Sequence, residues 1–141
     1  MIDVYIDGAS AGDPGPSGAG VFINYKDGQV EHFSIPLEVM SNHEAEYEAL
    51  LHALRICVDK GFKHVSFRTD SQLIDQAIEK RYVKKVRYQP YLREALVLID
   101  SFELFFMKWI PSKQNRNADE LARKAIQLDK GIITLDLTEK N

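Results

Sequence analysis

Apolar and polar positions along this chain follow two periods, and the switches between them outline the elements. Ile2 to Asp7, Gly20 to Tyr25 and Val30 to Pro36 are short runs rich in β-branched and aromatic residues, and read as three strands. Lys26-Asp27-Gly28 is a hairpin signal between the second and third. A glycine- and proline-rich stretch from Gly8 to Gly20 joins the first two, giving an antiparallel meander. The first strand should end or bend at Asp7, with the glycines allowing a close backbone approach. From the cap-like Ser41-Asn42 the period lengthens: Leu50, Ala53 and Cys57 mark a helix running to about Lys60 and stopped by Gly61. A strand over Lys63 to Thr69 and a helix over Gln72 to Glu79, capped by Asp70-Ser71, come next. Pro90 opens another helix, reaching about Ser101. Glu103 to Ile110 is a fifth strand whose Phe105, Phe106 and Trp109 are expected in the core. A polar loop, Pro111 to Arg116, leads to a last helix over Asn117 to about Leu128. Ile132 to Leu137 is a β-like patch with no place in this scheme.

Strands come first and then alternate with helices, which argues for an α/β domain: one mixed sheet with helices packed on it. No repeat, low-complexity tract or linker divides the chain, so residues 1–129 are expected to form one domain and residues 130–141 a tail. At 141 residues the chain is long enough to bury a real core. Its longest aliphatic run, Ala95 to Ile99, is far too short to span a bilayer, and the first residues lack the layout of a signal peptide. The expectation is a cytoplasmic protein with no membrane partner. A single cysteine, Cys57, excludes an internal disulfide and a cysteine-based zinc site. The net charge of −3 gives no global positive field, so any nucleic-acid contact must be local. One segment stands out: Lys80 to Arg93 holds six basic residues, no acid and three tyrosines, a mixture suited to phosphate neutralisation and base stacking.

Four carboxylates sit where separate elements can bring them together. Asp7 and Asp70 close strands. Glu46 lies on the stripe of Leu50, Ala53 and Cys57, one turn before the apolar part begins, where an unpartnered charge is costly. Asp119 opens the buried stripe of Ala122 and Ile126. Glu44 and Glu48 lie off the Glu46 line and read as solvated surface. Two carboxylates about 4 Å apart repel by on the order of 4 kcal/mol at an effective dielectric near 20. A hard cation such as Mg²⁺ fits such an all-oxygen set, since His32, His43, His52 and His64 are scattered without ligand spacing. Two ions would activate a water and stabilise the leaving oxygen of a phosphodiester.

Taken in order, DGASAGDPGPSGAG, SNHEAEYEAL, RTDSQLI and NADELA resemble the four motifs of type 1 ribonuclease H, in its shorter bacterial branch that lacks the basic handle. The resemblance runs from Ile2 to about Leu128. It implies a ribonuclease H-like fold: a five-stranded mixed sheet, three strands antiparallel and two parallel, flanked by helices. It implies a catalytic metal site of Asp7, Glu46, Asp70 and Asp119 that holds two Mg²⁺ ions, or Mn²⁺, and cuts the RNA strand of RNA–DNA hybrids. The glycine stretch (Gly8, Ala9, Ser10, Gly12, Asp13), Ser41-Asn42-His43 and Ser71-Gln72 match positions that contact the hybrid, where RNA is told from DNA through its 2′-OH. Lys84 and Lys85 would take over the missing handle's work. A monomer with no organic cofactor is implied. Asp13 and His43 stand where many members carry Asn, and the loop before the last helix holds no His. Two other readings share these residues: a domain that binds nucleic acid but cuts it weakly or not at all, and a nuclease for another nucleic acid.

Overall fold

The three opening strands are each longer than their apolar runs. In the computed structural model, which describes residues 1–129, they are β1 (Ile2–Ser10), β2 (Gly15–Asn24) and β3 (Val30–Met40). β1 therefore does not end at Asp7. It runs on with Asp7 opposite Gly20, Gly8 opposite Ala19 and Ala9 opposite Gly18. Backbone pairing needs no side chains, so the glycine stretch ladders as readily as the apolar run. Only residues 11–14 turn, closed by a hydrogen bond from Ala11 N to the Pro16 carbonyl at 2.7 Å. Ser10 Oγ donates to the Met40 carbonyl at 2.9 Å and ties this hairpin to the end of β3.

The remaining elements are α1 (Asn42–Asp59), β4 (His64–Thr69), α2 (Gln72–Lys80), α3 (Gln89–Ile99), β5 (Leu104–Trp109) and α4 (Arg116–Asp129). The sheet order is β3-β2-β1-β4-β5, with β1 antiparallel to β2 and β2 to β3. β4 and β5 are added in parallel, so the sheet is the expected mixed one. α1 starts on a reciprocal cap in which Ser41 Oγ accepts from Glu44 N and Glu44 Oε1 accepts from Ser41 N, both at 3.1 Å. Glu44 is thus engaged in that cap rather than merely solvated. The main core lies between α1, α3 and the sheet, around Val4, Ile6, Tyr47, Leu50, Leu54 and Phe67.

Two aromatic expectations change. Tyr88 and Tyr91 stack on Tyr47, with ring centroids 5.1 and 5.5 Å away, so they belong to the core and are not free for bases. Of that segment's three tyrosines, Tyr82 is the well exposed one. On β5, Phe105 packs on Phe67 and Phe102, but Phe106 and Trp109 are 52% and 40% exposed. β5 is the edge of the sheet and α4 packs over β1, β2 and β3, so the face of β5 that carries Phe106 gets no cover from it, while Trp109, on the face of Phe105 and Met107, lies at the strand's last position. The β-like patch at Ile132 to Leu137 lies outside the described residues.

Candidate active site

Glycine positions decide how closely the helices approach Asp7. A Cβ on Gly8 would run into the Ala45 carbonyl and come within 2.6 Å of Glu46 N, so α1 lies against β1 at the residue that carries Glu46. A Cβ on Gly20 would meet the Ala118 carbonyl and come within 2.6 Å of Ala122 N, so α4 lies against β2. Gly20 is opposite Asp7 and Gly8 is opposite Ala19, so the two contacts fall on opposite faces of the sheet. The close approach that the glycines allow is made by the helices bearing Glu46 and Asp119.

The result is an open groove of about 490 Å³ lined by Asp7, Gly8, Ala9, Ser10, Asn42, Glu46, Asp70, Asp119 and Arg123, among others. All four sequence-derived carboxylates face it, each from a different element. Among the described residues, no three carboxylate, histidine or cysteine side chains are drawn into a ready-made metal cage. Asp7 and Asp119 face each other closely enough to share a hydrogen bond. Burial, reinforced by Asp70, Asp119 and Glu46, pushes the Asp7 carboxyl up from 3.8 to about 8. Burial likewise raises Glu46 to about 7, with Asp70 adding to it and a hydrogen bond from Ser71 opposing it. Burial raises Asp70 too, against hydrogen bonds from Asn115 and Ser112. Among the described residues, Asp119 is the one of the four with an ion pair: Arg123 Nε stands 3.1 Å from its Oδ2. Excess negative charge on oxygen donors alone is a set that hard divalent ions fit.

The other sequence-derived residues divide. Ser71 is buried, caps α2 by accepting from Ile74 N at 3.2 Å, and supports Glu46. Gln72 is exposed beside it. Gly12, with φ of +152°, forms the hairpin tip. Asp13, Ser41, Asn42 and His43 line a second groove of about 480 Å³ with Lys85, Arg87 and Tyr88. Asp13 Oδ1 accepts from Asn42 N at 3.3 Å, so its carboxylate occupies the start of α1. Lys84 is exposed but does not line this groove, whereas Arg87 of the same basic segment does.

Four further residues touch the site and escaped the sequence reading. Trp109 Nε1 donates to the Asp70 carbonyl at 3.2 Å. Ser112 and Asn115 face the Asp70 carboxylate, and Arg123 faces Asp119. The Asn115 side chain four residues before Asp119 carries a usable signal, since it lies one cap position ahead of the helix that starts at Arg116. Placing that helix start at Asn117 hid it.

A family described as reverse transcriptase-like matches residues 5–125. EbsB of Enterococcus faecalis, provisionally named a hydrolase, is 40% identical over 129 residues, covering 90% of this chain and 95% of that protein. Ribonuclease H of Desulforamulus reducens is 31% identical, with 86% of this chain and 84% of the relative covered. Among solved structures, LC11-RNase H1 in complex with an RNA/DNA hybrid superposes with a TM-score of 0.84 at 31% identity, over 92% of this chain and 99% of that one. A five-stranded sheet of this order, four acids on one groove and relatives of this kind leave one assignment: the chain belongs to the ribonuclease H-like family, among its hydrolases.

Proposed function

We propose that this protein is a divalent-metal-dependent endonuclease that hydrolyses the RNA strand of RNA–DNA hybrids, and that residues 1–129 form its nuclease domain with 130–141 a tail. The observation that carries this reading is the convergence of Asp7, Glu46, Asp70 and Asp119, from four elements, on one groove. A fold without chemistry to perform has no use for two acids that burial and their acidic neighbours push up to about 8 and about 7. Asp7, Glu46, Asp70 and Asp119 would hold two Mg²⁺ or Mn²⁺ ions, which when bound supply the charge that activates water and stabilises the leaving oxygen. The chain's own part is positional. Ser71 fixes Glu46, Trp109 fixes the backbone at Asp70, and Arg123 balances Asp119. The groove of Lys85, Arg87, Ser41 and Asn42 lies next to the carboxylates, shares Asn42 with them, and suits the phosphates of a bound strand.

LC11-RNase H1 is solved on an RNA/DNA hybrid, which makes hybrid the substrate to test first. EbsB carries no substrate in its name, so the test includes other nucleic acids. Labelled hybrid, single-stranded RNA, double-stranded RNA and double-stranded DNA are each incubated with Mg²⁺, Mn²⁺ or EDTA. Cleavage of the hybrid alone, abolished by EDTA and by Asp70→Asn, is expected. Binding of hybrid without cleavage in either metal would favour a pure binder, and preferential cutting of another substrate would reassign the nuclease.

A further inference from the structure

We propose that Asn115 is a positioning residue for the carboxylate groove, one buried residue whose side chain links the strands leading to Asp7 and Asp70 while its backbone opens the helix carrying Asp119. The proposal deepens the nuclease reading and rests on it for the consequence in catalysis. Asn115 stands at the turn between β5 and α4 and is 1% exposed. Its Nδ2 donates to the Ile6 carbonyl at 2.9 Å, directly before Asp7 on β1. The same amide faces the Asp70 carboxylate at the exit of β4. Its backbone carbonyl accepts from Asp119 N at 3.1 Å and so begins the helix that presents Asp119.

The way the amide is used is unusual for its position. An Asn before a helix normally turns Oδ1 onto the N–H groups of the first turn. Here Oδ1 is buried with no hydrogen-bond partner, which costs stability. A Ser or Asp would cap α4 without that loss. What neither could supply is an amide nitrogen that donates to the Ile6 carbonyl while facing the Asp70 carboxylate. A carbonyl oxygen and a carboxylate both demand Nδ2, and flipping the amide would set Oδ1 against both. The orientation is therefore fixed by the groove, at the expense of the cap. Ser112, whose carbonyl accepts from Asn115 N at 2.9 Å, adds its hydroxyl to the same carboxylate. The short turn thus clamps Asp70 from one side while Trp109 holds its backbone from another.

Two variants test this. Asn115→Ser and Asn115→Asp both retain good helix-capping chemistry, and the second keeps the shape of the side chain, but both lose the amide donors. Outer partners of metal-binding groups typically matter by about 10–100-fold, so each variant should lower kcat on saturating hybrid by about that factor while KM stays within about threefold. Calorimetric titration with Mn²⁺ should show weaker binding to Asn115→Ser, and its crystal structure in EDTA should show the Asp70 carboxylate turned from its parental position. If kcat stays within about threefold of the parent in either variant, or only melting temperature or KM moves, Asn115 is no more than a cap. An unmoved Asp70 in the variant crystal also overturns the proposal. A parent that cuts no hybrid refutes the nuclease reading instead, and the crystal comparison then still decides whether Asn115 sets Asp70.

Discussion

Asp7 is held where its charge is unwelcome, and that has a thermodynamic signature. Its carboxyl ionises near 3.8 when free and near 8 in the fold, so between those pH values the folded protein keeps a proton that the unfolded chain has lost. Metal-free protein should therefore lose stability as pH rises from about 4 to about 8, and level off above. Asp7→Asn removes this dependence and should melt on the order of 5 °C above the parent at pH 8 in EDTA, the gap closing toward pH 4, while cleavage disappears. Thermal melts at several pH values check it; an Asn variant that melts below the parent throughout would make Asp7 a structural residue. Asp13 acts differently. The sequence places it as an anion beside the hybrid, and in the fold it accepts from Asn42 N at the start of α1. Asp13→Asn keeps an acceptor there and removes the charge next to Lys85 and Arg87. Hybrid affinity, measured in Ca²⁺ to block cutting, should rise a few-fold with less than about 1 kcal/mol change in stability. The four acids were legible because each interrupts an apolar pattern. Asn115 and Ser112 were not, because a polar residue in a polar turn breaks no pattern.

At the level of elements, the glycines are where position and chemistry meet. The sequence announced a close approach without naming what approaches, and a loop following a strand looked the natural reading. Strand pairing overrode it, since a glycine in a ladder keeps its backbone hydrogen bonds and clears room for a helix above. Gly8→Ala and Gly20→Ala should each destabilise the protein by about 3 kcal/mol or more, because the new methyl meets backbone, which cannot swing aside. Gly28→Ala, at a β2–β3 turn with open space around it and φ of +96°, should cost only about 1–2 kcal/mol. Urea unfolding separates the two cases, and similar losses at all three positions would contradict the packing described. Helix and strand existence followed from periodicity. Strand ends did not, as β1 and β2 each extend into the glycine stretch on backbone pairing alone.

Across the whole molecule, charge is the trait to weigh. The net charge of −3 means that binding depends on a few local cations, not on a general field. Lys85 and Arg87 line the groove beside the carboxylates, and Lys84 does not. For duplex DNA each neutralised phosphate contributes about 0.9 to the salt dependence of log affinity, and a hybrid should behave roughly alike. The parent slope should be shallow, a few units, and Lys85→Ala and Arg87→Ala should each lower it by about one, with Lys84→Ala doing less. Equal effects at all three would place the strand elsewhere. The overall architecture was readable in advance because strands and helices alternate in a fixed order. The bare Phe106 face of β5 was not, because aromatic density marks a strand and says nothing about whether a helix covers it.

The hydrogen bond from Trp109 to the Asp70 carbonyl has a practical consequence. This is the chain's single tryptophan, its ring is 40% exposed, and its indole N–H is anchored on the Asp70 carbonyl at the exit of β4. Indole emission responds to the polarity and mobility of its surroundings, so the protein carries an intrinsic fluorophore at the site, with no second tryptophan to blur the signal. Under the proposed function, cation loading, strand arrival and product departure should each register in stopped-flow emission on unlabelled protein.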